Sequence, residues 1–349
     1  MKTEKLDYNL PPELIAQQPL AVRSDSRLLV LDRAAGRLAD TTFSRIAGLL
    51  LPGDCLVLND TKVLPARFFA RRRTGGKIEG LFLAETGPRL WEVMIKGVRK
   101  IKAGESLYLK DRQKNDCCTA VVLEKIAEGR CLLRIDADTD AEALLDDIGF
   151  PPLPPYIKRN DDLETAEIDK RRYQTIYARK PGAIAAPTAG LHFTEKLIER
   201  LKQAGVTFAQ ITLHVGTGTF MPVAAENLED HNIHAERFSI DEDNARIINT
   251  AKKNARRIIP VGTTSVRTLE TIASGSELRA AAGTTGLFIT PGYRFKITDA
   301  MITNFHLPKS TLLALVAAFA GLDSILAAYQ HAIEQKYRFY SYGDAMLII

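Results

Sequence analysis

The sequence predicts an α/β main domain that is interrupted by an inserted all-β, barrel-like domain. Short apolar runs followed by polar loops and helical patterns occur near residue 55 and again from residue 183 onward. Between them, residues 66–136 contain only short β-prone runs, separated by turn residues at intervals typical of a meander or small barrel. We place the inserted domain at residues 62–153 and the main domain at residues 1–61 plus 154–349.

A polar loop at residues 187–195, with the sequence PTAGLHFTE, is central to the main-domain prediction. It follows an apolar run at residues 183–186 and precedes a predicted helix at residues 196–204, for which Thr194 is the N-cap. In open α/β sheets, ligands bind where such loops leave the carboxyl ends of strands, beside helix N-termini with unpaired N–H groups. We therefore expect this loop to bind a ligand.

Similar units of strand and polar loop recur along the chain. An apolar run at residues 257–262 precedes a hydroxyl-rich turn at 263–265 and a predicted helix at 266–274, and residues 300–303 lead to a polar loop at 304–309. Nearer the N-terminus, the run at residues 55–58 ends in Asn59, Asp60 and Thr61. If these strands are mostly parallel, their polar ends share one edge of a sheet, and we expect the active site there.

The composition is typical of a globular protein, with 46% hydrophobic and 26% charged residues. The net charge of +5 permits a polyanionic partner without requiring one. Any single basic cluster is more typical of a solvated surface than of a binding site. Five clusters together, at residues 71–73, 96–102, 158–159, 170–172 and 179–180, favour a nucleic acid or another phosphate-rich partner.

Neither a metal site nor a membrane segment is predicted. The four cysteines lack metal-ligand spacing, and His231 and His234 lack a zinc-binding motif. No signal-peptide core and no apolar run of membrane-spanning length is found. We therefore expect a soluble, cytoplasmic protein with no membrane partner, and a monomer as the default.

Three further patterns each leave two interpretations open. The glycine-rich stretch at residues 213–220 is compatible with a close backbone approach to a ligand or with a plain turn. Arg23 and Arg27 flank a Ser-Asp-Ser turn. They are candidates for binding a phosphate, and the alternative is that each is solvated or forms a salt bridge. The aromatic and basic residues at 336–344 favour core packing over a stacking surface.

Seven motifs in order resemble the S-adenosylmethionine:tRNA ribosyltransferase-isomerase family of queuosine synthesis. They are NDTKVLPAR (59–67), PLPPYIK (152–158), APTAGLHFT (186–194), LHVGTGTF (213–220), VGTTSVRTLE (261–270), ITNFHLPKS (302–310) and YRFYSYGDA (337–345). The resemblance covers essentially the whole chain. Thr217 is a departure, since the family pattern has leucine between the two glycines.

The resemblance implies a reaction in which S-adenosylmethionine donates its ribose instead of its methyl group. The acceptor is the aminomethyl arm of the 7-deazaguanine at the wobble position of tRNAs with GUN anticodons. Proton loss beside the sulfonium and expulsion of adenine precede amine attack, epoxide closure and release of methionine, leaving epoxyqueuosine on the tRNA. The resemblance implies no cofactor beyond S-adenosylmethionine as co-substrate.

This reaction needs a base for the ribose 5′ proton, a proton donor for the departing adenine and a neutral amine. His192 and His306, on loops at predicted strand ends, rank above His214 and His231 as catalytic candidates. Asp60 is a candidate for orienting a histidine or the amine, or it closes an Asx turn. The candidate substrate-binding residues are Thr188, Gly190, His214, Gly216, Gly218, Thr263, Thr264, Ser265, Arg267, Asn304 and Lys309.

Two of these candidates have a more specific expected role. Arg267 suits the methionine carboxylate, with an internal salt bridge to Glu270 as the alternative, and Lys309 suits a tRNA phosphate.

Two rival functions differ in class from ribosyl transfer. A methyltransferase would use the same donor, but the usual glycine-rich loop after a first strand is lacking. A non-catalytic RNA-binding module would explain the basic clusters but not the polar strand ends.

Overall fold

The computed structural model describes residues 1–126, 129–159, 163–216, 223 and 225–349. The strands are β1 (Arg27–Asp32), β2 (Arg37–Thr42), β3 (Cys55–Asn59), β4 (Thr61–Val63), β5 (Arg67–Arg72), β6 (Lys77–Gly87), β7 (Leu90–Ile95), β8 (Ser106–Lys110), β9 (Asp116–Lys125), β10 (Arg130–Asp136), β11 (Lys180–Ala183), β12 (Thr207–Leu213), β13 (Glu236–Ile240), β14 (Ile258–Pro260), β15 (Ala281–Thr285), β16 (Met301–Asn304) and β17 (Ala345–Ile348). The helices are α1 (Ala141–Ile148), α2 (Leu163–Arg172), α3 (Glu195–Gln203), α4 (Glu242–Lys253), α5 (Thr263–Ile272), α6 (Thr311–Ala320) and α7 (Leu322–Glu334).

Strands β5 to β10 close into an antiparallel barrel with the order β10-β7-β6-β5-β8-β9. Alternate side chains point inward, as the period of a strand requires, and form an apolar core of their own. The ring of Trp91 packs edge to face against Phe82 and Phe68, with centroids 4.9 and 6.3 Å away. The predicted fold class, an α/β chain with an all-β barrel, is therefore confirmed. The exact boundaries at residues 62 and 153 stay a prediction.

The strands outside the barrel form several sheets, so the prediction of a single sheet edge is wrong. One sheet has the order β14-β3-β12-β13-β15, with β3 parallel to β12 and β14. A second has the order β16-β17-β1-β2, in which only β1 and β17 are parallel. A short parallel pair joins β11 to β4.

The two larger sheets meet where β14 and β16 end. Val261 and Ile302 form a parallel bridge, and the Gly262 N–H donates to the Ile302 carbonyl at 2.8 Å. Gly262 has φ +86°, a conformation that glycine adopts without strain. This contact brings the polar segments after both strands into one region, although the strands belong to different sheets.

Local boundaries differ from the predictions at two of the polar loops. The strand expected at residues 183–186 lies earlier, as β11, because Lys180 to Ala183 pair with β4. Residues 263–265, predicted as a turn, form the first turn of α5. The predicted N-cap of α3 is confirmed, since the Thr194 side chain accepts from the Leu197 N–H.

Helix α6 is almost entirely buried among apolar and aromatic side chains. Phe305 packs against the rings of Tyr329, Tyr337 and Phe339, with centroids 5.0 to 5.5 Å apart. Among the described residues, no single helix is long and apolar enough to cross a membrane. The adjoining pair α6 and α7 reaches that length and composition together, but is bent by 114°.

Gly149, which ends α1, provides a test of the packing between that helix and the barrel. A Cβ at this position would lie 1.8 Å from the Pro65 carbonyl oxygen and 2.4 Å from that of Leu145, and neither backbone oxygen can move freely. We expect Gly149→Ala to destabilise the protein by about 1–3 kcal/mol or more, the usual cost of overpacking. Thermal denaturation would measure the loss. Gly48→Ala is the control, because nothing lies within 4 Å of its added Cβ, and equal melting temperatures for the two variants would contradict the account.

Candidate functional site

A cleft of about 670 Å³ lies in the main domain where the two sheets meet. We call it the donor cleft. Its walls come from the loop after β11, the start of α5, the loop after β16 and the segment before β17. The polar and aromatic residues that line it are Tyr156, Thr188, Thr263, Thr264, Thr303, Asn304, Phe305, His306, Ser310, Tyr340 and Ser341.

The N-terminus of α5 opens into the donor cleft. Its N-cap residue is Gly262, and no side chain among the described residues caps the helix. The Ser265 hydroxyl turns inward to donate to the Val261 carbonyl at 3.0 Å. The first N–H groups of a helix lack partners within the helix and carry partial positive charge. The N–H groups of Thr263 and Thr264 are therefore suited to an anionic group such as a carboxylate.

Asn304 is held in the donor cleft by a chain of buried hydrogen bonds. Its Oδ1 accepts from the Thr188 hydroxyl at 2.8 Å, and its Nδ2 donates to His192 Nε2 at 3.1 Å. Because Nε2 accepts, His192 carries its proton on Nδ1 and donates to the Ser26 hydroxyl at 2.8 Å. His192 does not line the donor cleft but fixes the orientation of Asn304 from behind.

Burial keeps two histidines of this region neutral. It lowers the pKa of His192 to about 3, with a further contribution from the positive charges of Arg23 and Arg338. It also lowers the pKa of His306, which does line the donor cleft, to about 3. The His306 ring bonds through Nε2 to the Thr303 hydroxyl at 2.8 Å. At neutral pH both rings act as uncharged hydrogen-bonding groups.

A second and wider cleft of about 1500 Å³ lies between the barrel and the main domain. We call it the inter-domain cleft. Barrel residues Glu92 and Arg130 face His214, Gly216 and other main-domain residues across it. Val215 and Leu312 line both clefts, so the two spaces adjoin. A molecule in one cleft would lie next to a molecule in the other.

His214 lies beside this junction and is half-buried. Its Nδ1 bonds to the Thr61 hydroxyl at 2.8 Å, while Nε2 has no hydrogen-bond partner within the described part of the chain. Burial and the charge of Arg237 lower the pKa of His214, against an opposing effect of Asp60. The ring is therefore neutral at pH 7 and has a nitrogen that can accept a proton.

Arg267 also lines the inter-domain cleft, but Glu236 is its partner. The two form a buried ion pair, and Arg267 donates in addition to the carbonyls of Leu287 and Thr285. The alternative prediction of a salt bridge between Arg267 and Glu270 is wrong. The Glu270 carboxylate accepts instead from three backbone N–H groups at residues 296–298. Glu236 Oε1 accepts from the Gly216 N–H at 2.8 Å.

Besides His192, four predicted residues lie outside the lining of both clefts. Asp60 is buried and accepts from the Thr212 hydroxyl and Arg179 at 2.6 and 3.0 Å. Gly190 packs so closely against Tyr177 that a Cβ at this position would lie 2.1 Å from the Tyr177 hydroxyl. The Ser265 hydroxyl donates to the Val261 carbonyl, and the Lys309 ammonium pairs with the Asp7 carboxylate at 2.7 Å. Gly218 and Thr217 lie outside the described residues.

Sequence reasoning missed an aromatic wall of the donor cleft. The rings of Tyr156 and Tyr340 lie 4.7 Å apart, and the Tyr156 hydroxyl bonds to Ser341 at 2.5 Å. Tyr156 lies in the motif PLPPYIK, for which no site role was predicted, and Tyr340 belongs to a segment that was assigned to core packing. The motif YRFYSYGDA contained a signal for this wall, because it combines a serine hydroxyl with several aromatic side chains.

The basic clusters of the barrel are partly neutralised by carboxylates. Arg71 pairs with Asp116 and Arg72 pairs with Glu105. Within the described ranges, no group of three or more His, Cys, Asp or Glu side chains is arranged to hold a metal ion.

Comparison with known proteins places the chain in a family. The family model described as "Queuosine biosynthesis protein" matches residues 3–348. The chain is 48% identical over 351 residues to the S-adenosylmethionine:tRNA ribosyltransferase-isomerases of Halothermothrix orenii and Staphylococcus saprophyticus, with all of each chain covered. It is also similar to the crystal structure of S-adenosylmethionine tRNA ribosyltransferase from Thermotoga maritima, with a TM-score of 0.56, 37% identity, and coverage of 99% of this chain and 100% of that one. The resemblance seen in the sequence is thus confirmed: the chain is an enzyme and belongs to the queuosine biosynthesis family of S-adenosylmethionine:tRNA ribosyltransferase-isomerases.

Proposed function

We propose that this enzyme transfers and isomerises the ribosyl group of S-adenosylmethionine onto the aminomethyl group of 7-aminomethyl-7-deazaguanine in tRNA. The acceptor base occupies the wobble position of a GUN anticodon, and the products are epoxyqueuosine-tRNA, adenine and methionine. The family and the names of its relatives support the reaction class. In this proposal the enzyme acts as a cytoplasmic monomer with no cofactor beyond the donor.

The observation that carries the proposal is the junction of the two clefts. The reaction joins a small zwitterionic donor to one base of a large polyanion, so it needs a narrow polar site that opens onto a wider one. The donor cleft and the inter-domain cleft have these proportions and share Val215 and Leu312. Family membership alone does not require this division.

S-adenosylmethionine fits the groups of the donor cleft. Its methionine carboxylate suits the N–H groups of Thr263 and Thr264 at the uncapped start of α5. Ribose hydroxyls suit Asn304 and Thr188, and the rings of Tyr156 and Tyr340 offer an apolar wall for the adenine. Neutral His306 provides a hydrogen-bonding group without adding positive charge near the sulfonium.

The wobble base enters through the inter-domain cleft in this arrangement. Arg237 is exposed on the rim of this cleft and makes no ion pair among the described residues, so it is free to meet an RNA phosphate. Unstacked bases are recognised by hydrogen bonds to their edges, and the lining of this cleft includes the imidazole side chains of His231 and His234. The base would then reach the donor at the shared wall.

His214 is the proton acceptor in this proposal. A base must take the ribose 5′ proton from the carbon next to the sulfonium. The electron pair then forms a C4′–C5′ double bond as the C4′–O4′ bond breaks, and the released oxygen forms an aldehyde at C1′ as adenine leaves with a proton. His214 is neutral, lies beside the shared wall and keeps Nε2 without a partner in the described chain. His192 has both ring nitrogens occupied, so it acts by positioning Asn304.

The direct test incubates the purified enzyme with S-adenosylmethionine and tRNA that carries the aminomethyl-deazaguanine base. Free adenine and methionine, with a ribose-derived mass gain on the wobble base by mass spectrometry, support the proposal. S-adenosylhomocysteine would assign the enzyme to methyl transfer instead. Tight tRNA binding without turnover would favour a non-catalytic RNA-binding role.

Replacing Asn304 tests the donor cleft. Asn304→Ala removes the amide that links Thr188 and His192 and leaves buried partners unsatisfied. We expect kcat/KM for S-adenosylmethionine to fall about 10- to 100-fold, because leaving a buried hydrogen-bonding group unsatisfied costs about 1–3 kcal/mol. Steady-state kinetics with varied donor would measure it. Asn115→Ala, in an exposed turn of the barrel, is the matched control, and similar kinetics for both variants would remove Asn304 from the site.

Replacing His214 tests the proton acceptor. His214→Gln should lower kcat by about 10²–10⁴-fold, the usual contribution of a general base, with little change in KM for the donor. The wild-type rate should also fall on the acid side as the ring protonates, at a pH below the ordinary histidine value because its pKa is lowered. His331→Gln on α7 is the control. A variant with the wild-type kcat would exclude this role.

The buried neutral histidines predict how stability depends on pH. The unfolded chain binds a proton on His306 below the ordinary pKa of 6.5, whereas the folded chain does not until about pH 3. Stability is therefore fully present above pH 6.5 and is lost as the pH falls towards 3. Between pH 6 and 4, His306→Gln should reduce the slope of unfolding free energy against pH by about 1.4 kcal/mol per unit. Urea denaturation at several pH values measures this slope, and an unchanged slope would show that His306 titrates normally in the fold.

A further inference from the structure

Three arginines from distant segments converge behind the donor cleft. Arg23 and Arg172 line an open cavity of about 300 Å³, together with His192 and the backbone of residues 341–343. Arg338 approaches the same segment, since its guanidinium donates to the carbonyl of Gln18, next to Pro19 and Leu20 in the lining of this cavity. We call these residues the arginine cluster.

Among the described residues, the guanidinium groups of the arginine cluster donate only to backbone carbonyls, while the Arg338 backbone N–H donates to the Asp344 carboxylate at 2.8 Å. Arg23 donates to the carbonyls of Leu191 and Arg171 at 3.1 and 3.0 Å. The other bonds run from Arg172 to Ala21 and Leu20, and from Arg338 to Gln18. Across the described ranges, no carboxylate lies within the 4.0 Å of an ion pair from any of the three guanidinium groups. The barrel arginines, by contrast, have acidic partners.

The guanidinium groups of the arginine cluster are therefore without a directly bonded carboxylate and are partly desolvated, although the charge of Asp344 acts on Arg338 at longer range. Arg172 Nε and Arg338 Nη1 are buried and have no hydrogen-bond partner in the described part of the chain. Burial and the neighbouring charge of Arg172 lower the pKa of Arg23. Like charges held together with unsatisfied donors are costly unless an anion joins them. Guanidinium groups match phosphate oxygens in geometry as well as in charge.

We propose that Arg23, Arg172 and Arg338 bind a phosphodiester group of the RNA substrate. The proposal rests on the proposed function for the identity of that RNA. Ser341 lines both this cavity and the donor cleft, so a phosphate held here lies close to the reacting sugar. A neighbouring groove of about 1050 Å³ continues from Arg172 to Lys158, which extends the basic surface along a strand of RNA. Arg159 also lines this groove but is paired there with Asp169.

The test measures binding of the substrate tRNA by Arg23→Gln and Arg338→Gln at several salt concentrations. Each variant should weaken binding about tenfold or more, the loss of a hydrogen bond to a charged group. Each should also reduce the slope of log K against log salt by about 0.7–1, the signature of one lost phosphate contact. KM for S-adenosylmethionine and kcat at saturating tRNA should not change. Arg246→Gln is the control, since Arg246 is exposed and pairs with Asp243 on α4.

Three results would overturn the proposal. A raised KM for S-adenosylmethionine with unchanged tRNA binding would assign the cluster to the methionine carboxylate. A lowered melting temperature with an unchanged salt slope would show that the arginines only tether residues 18–21. Stabilisation of the wild type by inorganic phosphate, lost in both variants while tRNA binding persists, would assign the site to free phosphate. Because the salt slope is measured without turnover, a failure of the ribosyl transfer reaction itself remains distinguishable.

Discussion

The hydrogen bond from the Gly262 N–H to the Ile302 carbonyl is the constraint on which the site depends. It connects two sheets that otherwise have separate strand orders. The start of α5 and the loop after β16 thereby open into the same cleft. The positive φ of Gly262 allows the chain to turn directly from β14 into a helix whose first N–H groups face the cleft. Together with the bonds from the Asp299 and Ala300 N–H groups to the Ile258 carbonyl, this contact brings together two polar segments about forty residues apart in sequence.

Buried polar side chains stabilise the donor cleft in one arrangement. Asn304 is satisfied on both sides, by Thr188 and by His192, and His192 is in turn satisfied by Ser26. Fully paired buried networks hold their members rigidly, whereas an unpaired member is costly. Burial keeps the histidines neutral, so the cleft gains hydrogen-bonding groups without extra charge. A donor that carries both a positive charge and a carboxylate is compatible with such an uncharged, hydrogen-bonding lining.

Much of the architecture could be predicted from local patterns. The barrel strands alternate with turn residues, and Thr194 precedes a helical pattern, so both follow from short-range chemistry. The pairing of strands into sheets could not be predicted, because β1 pairs with β17 across most of the chain. The Arg267 and Glu236 pair is likewise a contact over 31 positions, while Glu270 was the nearer candidate in sequence. Tyr340 and Ser341 were missed because composition alone does not distinguish a core aromatic from one that lines a cleft.

The central claim is that the donor occupies the cleft between α5 and the loop after β16. Measuring backbone hydrogen exchange with and without S-adenosylmethionine tests this claim most directly. We predict that the donor protects the backbone N–H groups of residues 263–265 and 304–307, and leaves the exchange of the barrel strands unchanged. Protection confined to the barrel or to residues 231–237, with none at the start of α5, would contradict the account.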